Sequence, residues 1–193
     1  MAAPEINIET QTIIVGEQAE SLWEAYDAIF IPFNESCPCR QSLWKDDFLR
    51  FCADPNVFKV LATDNSELVG VALVTFDLYK IPWINPPVLW KPREHGGKTW
   101  DLKDHVMYVV SIGVLLERRG LQAGTQLMLS LQQILRGHSG LAVGYDHSLT
   151  SNPILSKMIS RVGGTIPIGL MPDGELDHQV FCLQLDIQGP VFQ

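Results

Sequence analysis

The chain has 193 residues, of which 46% are hydrophobic and 19% are charged. This length and apolar content suit one compact domain with a sizeable core, and they exclude a wholly disordered chain. The net charge of -8 leaves no basic footprint of the kind that displaces phosphate counterions, so we expect no nucleic-acid partner.

The first half of the chain predicts a strand, two helices and a hairpin. The boundaries of these elements follow from strand-favouring residues and from hydrophobic residues that recur about every 3.6 positions in helices or every 2 in strands. In order, the predicted elements are a strand at Ile6–Val15, helices at Glu17–Phe33 and Leu43–Ala53, and strands at Val57–Thr63 and Glu67–Leu78.

The segment from Tyr79 to Asp104 is rich in proline and carries three tryptophans, Trp83, Trp90 and Trp100. A segment of this length is usually a functional lid or a binding loop, or it contains a short element. The tryptophans either wall an acceptor pocket or fix the segment to the body of the protein.

The second half begins with the most apolar strand of the chain, which we expect at the centre of a sheet. It leads through a glycine-containing turn into an amphipathic helix. In order, we predict a strand at Val106–Leu116, a helix at Gly124–Arg136, a strand at Leu141–Tyr145, a helix at Pro153–Val162, and strands at Ile166–Leu170 and Gln179–Leu185. This order predicts one mixed α/β domain.

The termini and cysteines indicate the compartment. The N-terminus has no basic patch followed by an apolar run, and no apolar stretch approaches the ~20 residues that span a bilayer. The four cysteines include no C-x-x-C pair and are interpreted as reduced thiols. We therefore expect a cytoplasmic protein with no membrane partner.

The turn between the apolar strand and the following helix is a candidate anion site. Backbone N–H groups of a turn and of a first helical turn point at one spot, and the helix dipole reinforces them. Gly120 and Gly124 allow the backbone to approach an anion closely. The Gly-Lys-Ser/Thr of a P-loop and the G-x-G-x-x-G of a Rossmann turn are both missing.

The segment Val114–Thr125 resembles the acetyl-CoA loop of the GNAT N-acetyltransferases, which reads roughly V-x-P-E-x-R-G-x-G-x-G/A. Leu116 stands in place of the proline, and Gln122 stands in place of the middle glycine. The positions that match in register are Val114, Glu117, Arg119, Gly120 and Gly124.

The order of elements is also similar to that of the family, over about 170 residues. The resemblance implies an α/β (α+β) fold with a mixed, mostly antiparallel sheet flanked by helices. It implies a single GNAT-like domain over residues 1–193, with the Trp- and Pro-rich loop at 79–104.

A second family feature is an Asn that opens the helix after the next strand, followed by Tyr seven residues later and then by Gly-Phe. Asn152 and Gly163 fit this pattern, whereas Ile159 and Gly164 replace the Tyr and the Phe. In the family that Tyr often protonates the departing CoA thiolate.

The resemblance implies acetyl-CoA or another acyl-CoA as cosubstrate, and no metal. The pantetheine arm pairs with the main chain of the family's central strand at a bulge, which corresponds here to Ile112–Val114. Gly113 suits a bulge, or it packs against a neighbouring helix. The implied cofactor-binding residues are Ile112, Gly113, Val114, Arg119, Gly120, Leu121, Gln122, Ala123, Gly124, Thr125 and Asn152.

The family often uses a carboxylate on the central strand as a base, and none lies between Val106 and Leu116. Histidine side chains ordinarily exchange protons near neutral pH, so His105 is a candidate proton relay, or it is a surface histidine. Tyr108 is a second candidate or a core tyrosine. Tyr145 is a candidate acid for the thiolate, or a structural tyrosine.

The resemblance implies an N-acyltransferase that moves an acetyl or other acyl group from acyl-CoA to an amine of a small molecule by direct attack. One alternative is a non-catalytic module that binds acyl-CoA or a partner on the same fold. Another is an acyltransferase that takes longer acyl chains from CoA or a carrier protein, with the Trp-rich loop covering the acyl chain. Asp101 or Asp104 is a candidate for receiving a cationic acceptor. The sequence leaves open whether the protein forms a homodimer.

Overall fold

The computed structural model describes residues 6–36, 42–115, 117, 122–148, 165–172 and 179–186. Its elements in chain order are β1 (Ile6–Gln11), α1 (Glu17–Ser36), α2 (Lys45–Ala53), β2 (Val57–Asp64), β3 (Glu67–Thr75), a short 3₁₀ helix (Leu78–Lys80), α3 (Pro86–Leu89), β4 (Arg93–His95), β5 (Lys98–Trp100), β6 (Val106–Val114), α4 (Ala123–Gly137), β7 (Ala142–Ser148), β8 (Thr165–Pro172) and β9 (Gln179–Asp186). The helix predicted at 153–162 lies outside the described residues.

Among the described residues, seven strands form one sheet in the order β1-β2-β3-β6-β7-β9-β8, and β4 pairs with β5 apart from it. β1 with β2, β7 with β9 and β8 with β9 are antiparallel, whereas β6 and β7 are parallel. The central place of the most apolar strand is confirmed. The predicted mixed α/β fold with a mostly antiparallel sheet is also confirmed.

The β2–β3 connection is a two-residue turn. Asn65 and Ser66 both have positive φ, at 49° and 69°. Two successive positive φ values are typical of the type I′ turn, whose twist matches that of the flanking strands. The hairpin predicted in this region is therefore present, with β3 ending at Thr75 rather than at Leu78.

The chain forms two compact units, Met1–Val74 with Ser111–Ser130, and Thr75–Val110 with Leu131–Gln193. In the first unit, Tyr26 packs against Phe30 and Phe48 with ring centroids 4.7 and 4.4 Å apart. Lys59 of the same unit is fully buried and donates hydrogen bonds to three backbone carbonyls, those of Thr12, Asp54 and Val57.

Two boundaries in the first unit differ from the prediction. β1 ends at Gln11 instead of Val15, because the N–H of Ile14 donates to the carbonyl of Cys52 instead of continuing the ladder. α1 continues past the predicted end at Phe33 to Ser36 and includes Pro32.

The segment between β3 and β6 contains short elements that the pattern did not locate. The 3₁₀ helix at Leu78–Lys80, α3 and the β4–β5 hairpin all fall within it. Four apolar side chains anchor the segment and are fully or almost fully buried, namely Leu78, Ile81, Leu89 and Leu102. This part of the chain therefore has buried side chains of its own and is not an open loop.

Candidate cofactor and catalytic site

The C-terminal half of β6 has one closed face and one partly open face. Burial alternates along this half: Ser111 and Gly113 are buried, whereas Ile112 and Val114 are only partly buried. Successive strand side chains point to opposite faces, so Ile112 and Val114 share the open face. These two apolar side chains thus form a wall that a ligand can reach.

Gly113 faces helix α1 at a distance that admits no side chain. A Cβ added here would lie 2.5 Å from Cγ2 of Ile29 and 2.9 Å from the ring of Phe30. The φ of Gly113 is not positive. Close packing against a neighbouring helix, the second of the two sequence interpretations, accounts for this glycine.

Ser111 of β6 is also in contact with α1, through Tyr26. Its Oγ lies 3.0 Å from the hydroxyl of Tyr26, and that hydroxyl also accepts a hydrogen bond from the backbone N–H of Leu43 at 3.0 Å. Tyr26 is fully buried. The hydroxyl of Tyr26 therefore joins β6, α1 and the chain just before α2.

Gln122 has the backbone conformation of a glycine. Its φ is 64°, in the left-handed region that costs a non-glycine residue about 1–2 kcal/mol. It stands where the GNAT pattern has its middle glycine. Its carbonyl accepts the N–H of Gln126 at 2.9 Å, which makes Gln122 the N-cap of α4. The side chain is exposed.

The first turn of α4 has backbone N–H groups that no residue of the helix accepts. The N–H groups of Ala123, Gly124 and Thr125 precede the first intrahelical bond, so no carbonyl of the helix accepts them. The positive end of the helix dipole lies at the same place. Three backbone donors without a charged side chain suit a pyrophosphate.

The candidate cofactor residues divide according to where they fall in the described chain. Ile112–Val114 and Gln122–Thr125 belong to the same compact unit. Arg119, Gly120, Leu121 and Asn152 lie outside the described residues. The described part thus contains the strand wall and the helix terminus of the predicted site.

Tyr108 is buried on β6, and its hydroxyl accepts a hydrogen bond from the indole Nε1–H of Trp83 at 2.9 Å. Trp83 itself is 44% exposed. Of the three tryptophans in the segment, Trp90 and Trp100 instead have buried Nε1 atoms. Trp83 therefore ties the segment to the central strand while keeping part of its ring in solvent.

His105 lies at the entrance of β6. Its Nδ1 is 2.8 Å from the carbonyl of Ser139. Since a carbonyl only accepts, Nδ1 carries the proton and Nε2 is the nitrogen left for exchange. The backbone carbonyl of His105 also accepts the N–H groups of Leu141 and Ala142. The residue thus fastens the connection between α4 and β7.

Tyr145 is fully buried on β7. The parallel register of β6 and β7 runs from Val106 opposite Ala142 to Val109 opposite Tyr145. Both strands continue beyond that pair, β6 to Val114 and β7 to Ser148. Tyr145 therefore stands at the end of the paired stretch.

Two side-chain hydrogen bonds at β6 were not predicted from the sequence. Tyr26 is 85 residues from Ser111, and Trp83 is 25 residues from Tyr108. A buried tyrosine needs a partner for its hydroxyl, but no local pattern identifies that partner.

Within the described part of the chain, no group of three or more His, Cys, Asp or Glu is arranged to hold a metal ion. Among the helices described there, none has the length and apolar character needed to cross a membrane.

Solved structures share this fold over nearly the whole chain. The ribosomal-protein-S18-alanine N-acetyltransferase of Escherichia coli matches with a TM-score of 0.61 at 7% identity, covering 94% of both chains. Aminoglycoside acetyltransferase AAC(6')-Ib, solved with coenzyme A and kanamycin, matches with a TM-score of 0.57 at 15% identity, covering 94% of this chain and 95% of its own.

A third structure, yncA of Salmonella typhimurium solved with its cofactor acetyl-CoA, matches with a TM-score of 0.55 at 12% identity, covering 93% of this chain and 91% of its own. At these identities the likeness concerns the fold. Among curated proteins, no sequence matches this chain.

The sequence itself also matches a family. A model of the acetyltransferase (GNAT) family matches residues 19–152, which is more than half of the chain and includes β6 and α4. The predicted resemblance to the family is therefore confirmed, and the chain belongs to the GNAT acetyltransferase family.

Proposed function

We propose that the protein is an N-acyltransferase that moves an acetyl or other acyl group from acyl-CoA to the amine of a small molecule. The observation that supports the proposal is the left-handed N-cap at Gln122, after which three backbone N–H groups of α4 have no acceptor within the helix. Backbone strain of this kind persists where the surrounding structure requires it, and it is concentrated at ligand sites.

The proposed cofactor site has two parts. The N–H groups of Ala123–Thr125 hold the pyrophosphate, together with Arg119, Gly120, Leu121 and Asn152. The partly open wall formed by Ile112 and Val114, with Gly113 between them, receives the pantetheine arm. Acyl-CoA bound there supplies the acyl group as a thioester.

The proposed reaction is a direct transfer. The amine nitrogen of the acceptor forms a bond to the thioester carbonyl, and the carbon–sulfur bond breaks. The nitrogen loses one proton and the departing thiolate gains one, so the protein has to provide positions for both. We assign the proton for the thiolate to the hydroxyl of Tyr145, because β7 stops pairing with β6 at that residue.

His105 and Tyr108 are the proposed route for the amine proton. Nε2 of His105 is the nitrogen that its hydrogen bond to Ser139 leaves for proton exchange. Tyr108, three residues after His105, lies on β6 and is joined to Trp83. Both belong to the unit that contains Tyr145.

One sequence feature favours a binding module on the same fold as the second candidate function. Ile159 stands where the family has the tyrosine that often protonates the thiolate. A module of this kind would bind acyl-CoA and release no CoA with any acceptor.

Two measurements separate these functions. Calorimetry with acetyl-CoA tests the site, and absence of heat at millimolar ligand contradicts both candidates. A panel of small amines, assayed for free CoA thiol and for the N-acyl product by mass spectrometry, then tests for catalysis. The proposal predicts that Tyr145→Phe lowers turnover while leaving acetyl-CoA affinity within twofold, since a lost proton donor affects chemistry more than binding. Binding of acetyl-CoA with no product from any amine would favour the module.

A further inference from the structure

The backbone of β6 that faces the proposed cofactor has no side chain of its own to fix it at Gly113. Its position depends on what packs behind it. Two contacts from α1 hold this stretch, the hydroxyl of Tyr26 at Ser111 and the side chains of Ile29 and Phe30 at Gly113. On the neighbouring strand, the carbonyl of Val69 accepts the N–H of Leu115 at 2.9 Å and fixes the end of the stretch.

The contact at Tyr26 differs from the others because it is polar and directional. Its hydroxyl lies 3.0 Å both from the N–H of Leu43 and from Oγ of Ser111. The N–H of Leu43 is a donor, so it occupies one lone pair of the hydroxyl and restricts the directions left for Ser111. Both Tyr26 and Ser111 are buried, where such bonds are strong and costly to break.

The ring of Tyr26 cannot easily shift to compensate for a change at its hydroxyl. Phe30 and Phe48 hold it, with ring centroids 4.7 and 4.4 Å away, whereas Trp23 lies farther off at 5.7 Å. A rigid ring transmits the position of its hydroxyl directly to the strand.

We propose that Tyr26 is a positioning residue for acyl-CoA, whose hydroxyl, held by the N–H of Leu43, fixes Ser111 and with it the cofactor-facing stretch Ile112–Val114. This inference rests on the proposed function, because it assumes that acyl-CoA binds along β6. Ser111 adjoins Ile112 directly, and its side chain points to the face opposite that of Ile112 and Val114. Tyr26 touches no cofactor and acts only through the strand.

The test is a double-mutant cycle on acetyl-CoA affinity, using Tyr26→Phe, Ser111→Ala and the double variant. Tyr26→Phe is expected to weaken acetyl-CoA binding about fivefold, as the loss of one buried hydrogen bond at the strand would. Ser111→Ala is expected to have a similar effect, and the double variant should be no weaker than the poorer single variant, because both remove the same link.

Trp23→Phe is the matched control. It alters the same aromatic cluster but leaves the hydroxyl of Tyr26 in place, so affinity should stay within twofold of wild type. Backbone amide NMR shifts of Ile112 and Val114 provide a second readout, and both should change in Tyr26→Phe and not in Trp23→Phe. Ser111→Ala tests the inference on its own if Tyr26→Phe does not fold.

Each outcome decides one of the two claims. If wild type binds acetyl-CoA and both single variants bind it within twofold of wild type, the inference is overturned while the proposed function stands. Effects that add in the double variant, or equal weakening in Trp23→Phe, overturn it as well. If wild type does not bind acetyl-CoA, the proposed function and the inference fall together.

Discussion

The indole Nε1–H of Trp83 donates to the hydroxyl oxygen of Tyr108 at 2.9 Å, which joins the segment between β3 and β6 to the central strand. Trp83 and Tyr108 belong to the same compact unit. The bond explains why a proline-rich segment with only short elements of its own keeps a defined course beside β6.

Trp83→Phe should loosen this segment. The variant removes the donor and keeps an aromatic ring, so the expected loss of stability is that of one hydrogen bond, about 1 kcal/mol. Amide exchange across Leu78–Trp100 should accelerate while α1 is unaffected. Tyr79→Phe, at an exposed ring without this bond, is the control. Unchanged amide exchange in Trp83→Phe would show that the hydrogen bond from Trp83 to Tyr108 is not needed to keep the segment ordered.

Gln122→Gly should stabilise the protein. Gln122 holds a φ of 64°, which glycine adopts without steric strain. Part of the gain is lost because glycine has more freedom in the unfolded chain, so we expect about 0.5–1 kcal/mol in denaturant unfolding. Acetyl-CoA affinity should be kept, because the donors are backbone N–H groups. If Gln122→Gly is less stable than wild type, Gln122 is not under backbone strain. Gln122→Val should lose stability, because a β-branched residue tolerates a positive φ poorly.

Gly113→Ala should destabilise the protein by about 1–3 kcal/mol, the usual cost of forcing an extra carbon into a packed core. The added Cβ would meet Ile29 at 2.5 Å. Gly137→Ala is the control, since a Cβ at Gly137 meets nothing within 4 Å. Urea unfolding of both variants makes the comparison. Equal stability of the two would mean that α1 readily moves away from β6.

Lys59 should make stability depend on pH. Burial lowers the pKa of Lys59 to about 8 from an ordinary value of 10.5. The unfolded chain therefore binds more protons than the folded chain between these values, and the free energy of unfolding rises as pH increases through that window. The stabilisation that neutral Lys59 provides at high pH is therefore lost as pH falls through its folded pKa of about 8.

Cys52 acts in the opposite direction above pH 9. Burial raises the pKa of its thiol from 9.0 to about 11, so stability falls as pH rises through that range. The clean window for Lys59 is thus pH 8 to 9, where wild type should gain on the order of 1 kcal/mol. Chemical unfolding at both pH values should show this gain in wild type and its loss in Lys59→Met. The same pH slope in both proteins would contradict the role of Lys59.

The sequence predicted the features that depend on local pattern. The apolar run at β6, the stripe of α4 and the loop Val114–Thr125 were all recognisable, because burial and helix periodicity are written in consecutive residues. The end of β1 at Gln11 was missed, because it depends on a bond between Ile14 and Cys52, far apart in the chain.

Other features needed tertiary context. The pattern called for glycine at position 122, and the structure shows that Gln122 keeps the glycine backbone conformation. The partners of Tyr26 and Tyr108 follow from packing and have no sequence signal. Tyr145, His105 and Tyr108 remain predictions as proton carriers.

The most direct test of the central claim is acetyl-CoA binding to Gly124→Glu, measured by calorimetry beside wild type. The variant places a carboxylate at the first turn of α4, where the proposed anion donors lie. Gly137→Glu adds the same charge at the other end of that helix and is the control. We predict that wild type and Gly137→Glu bind acetyl-CoA and that Gly124→Glu, still cooperatively folded, does not. Equal affinity in all three would show that the cofactor's pyrophosphate is not held at the N-terminus of α4.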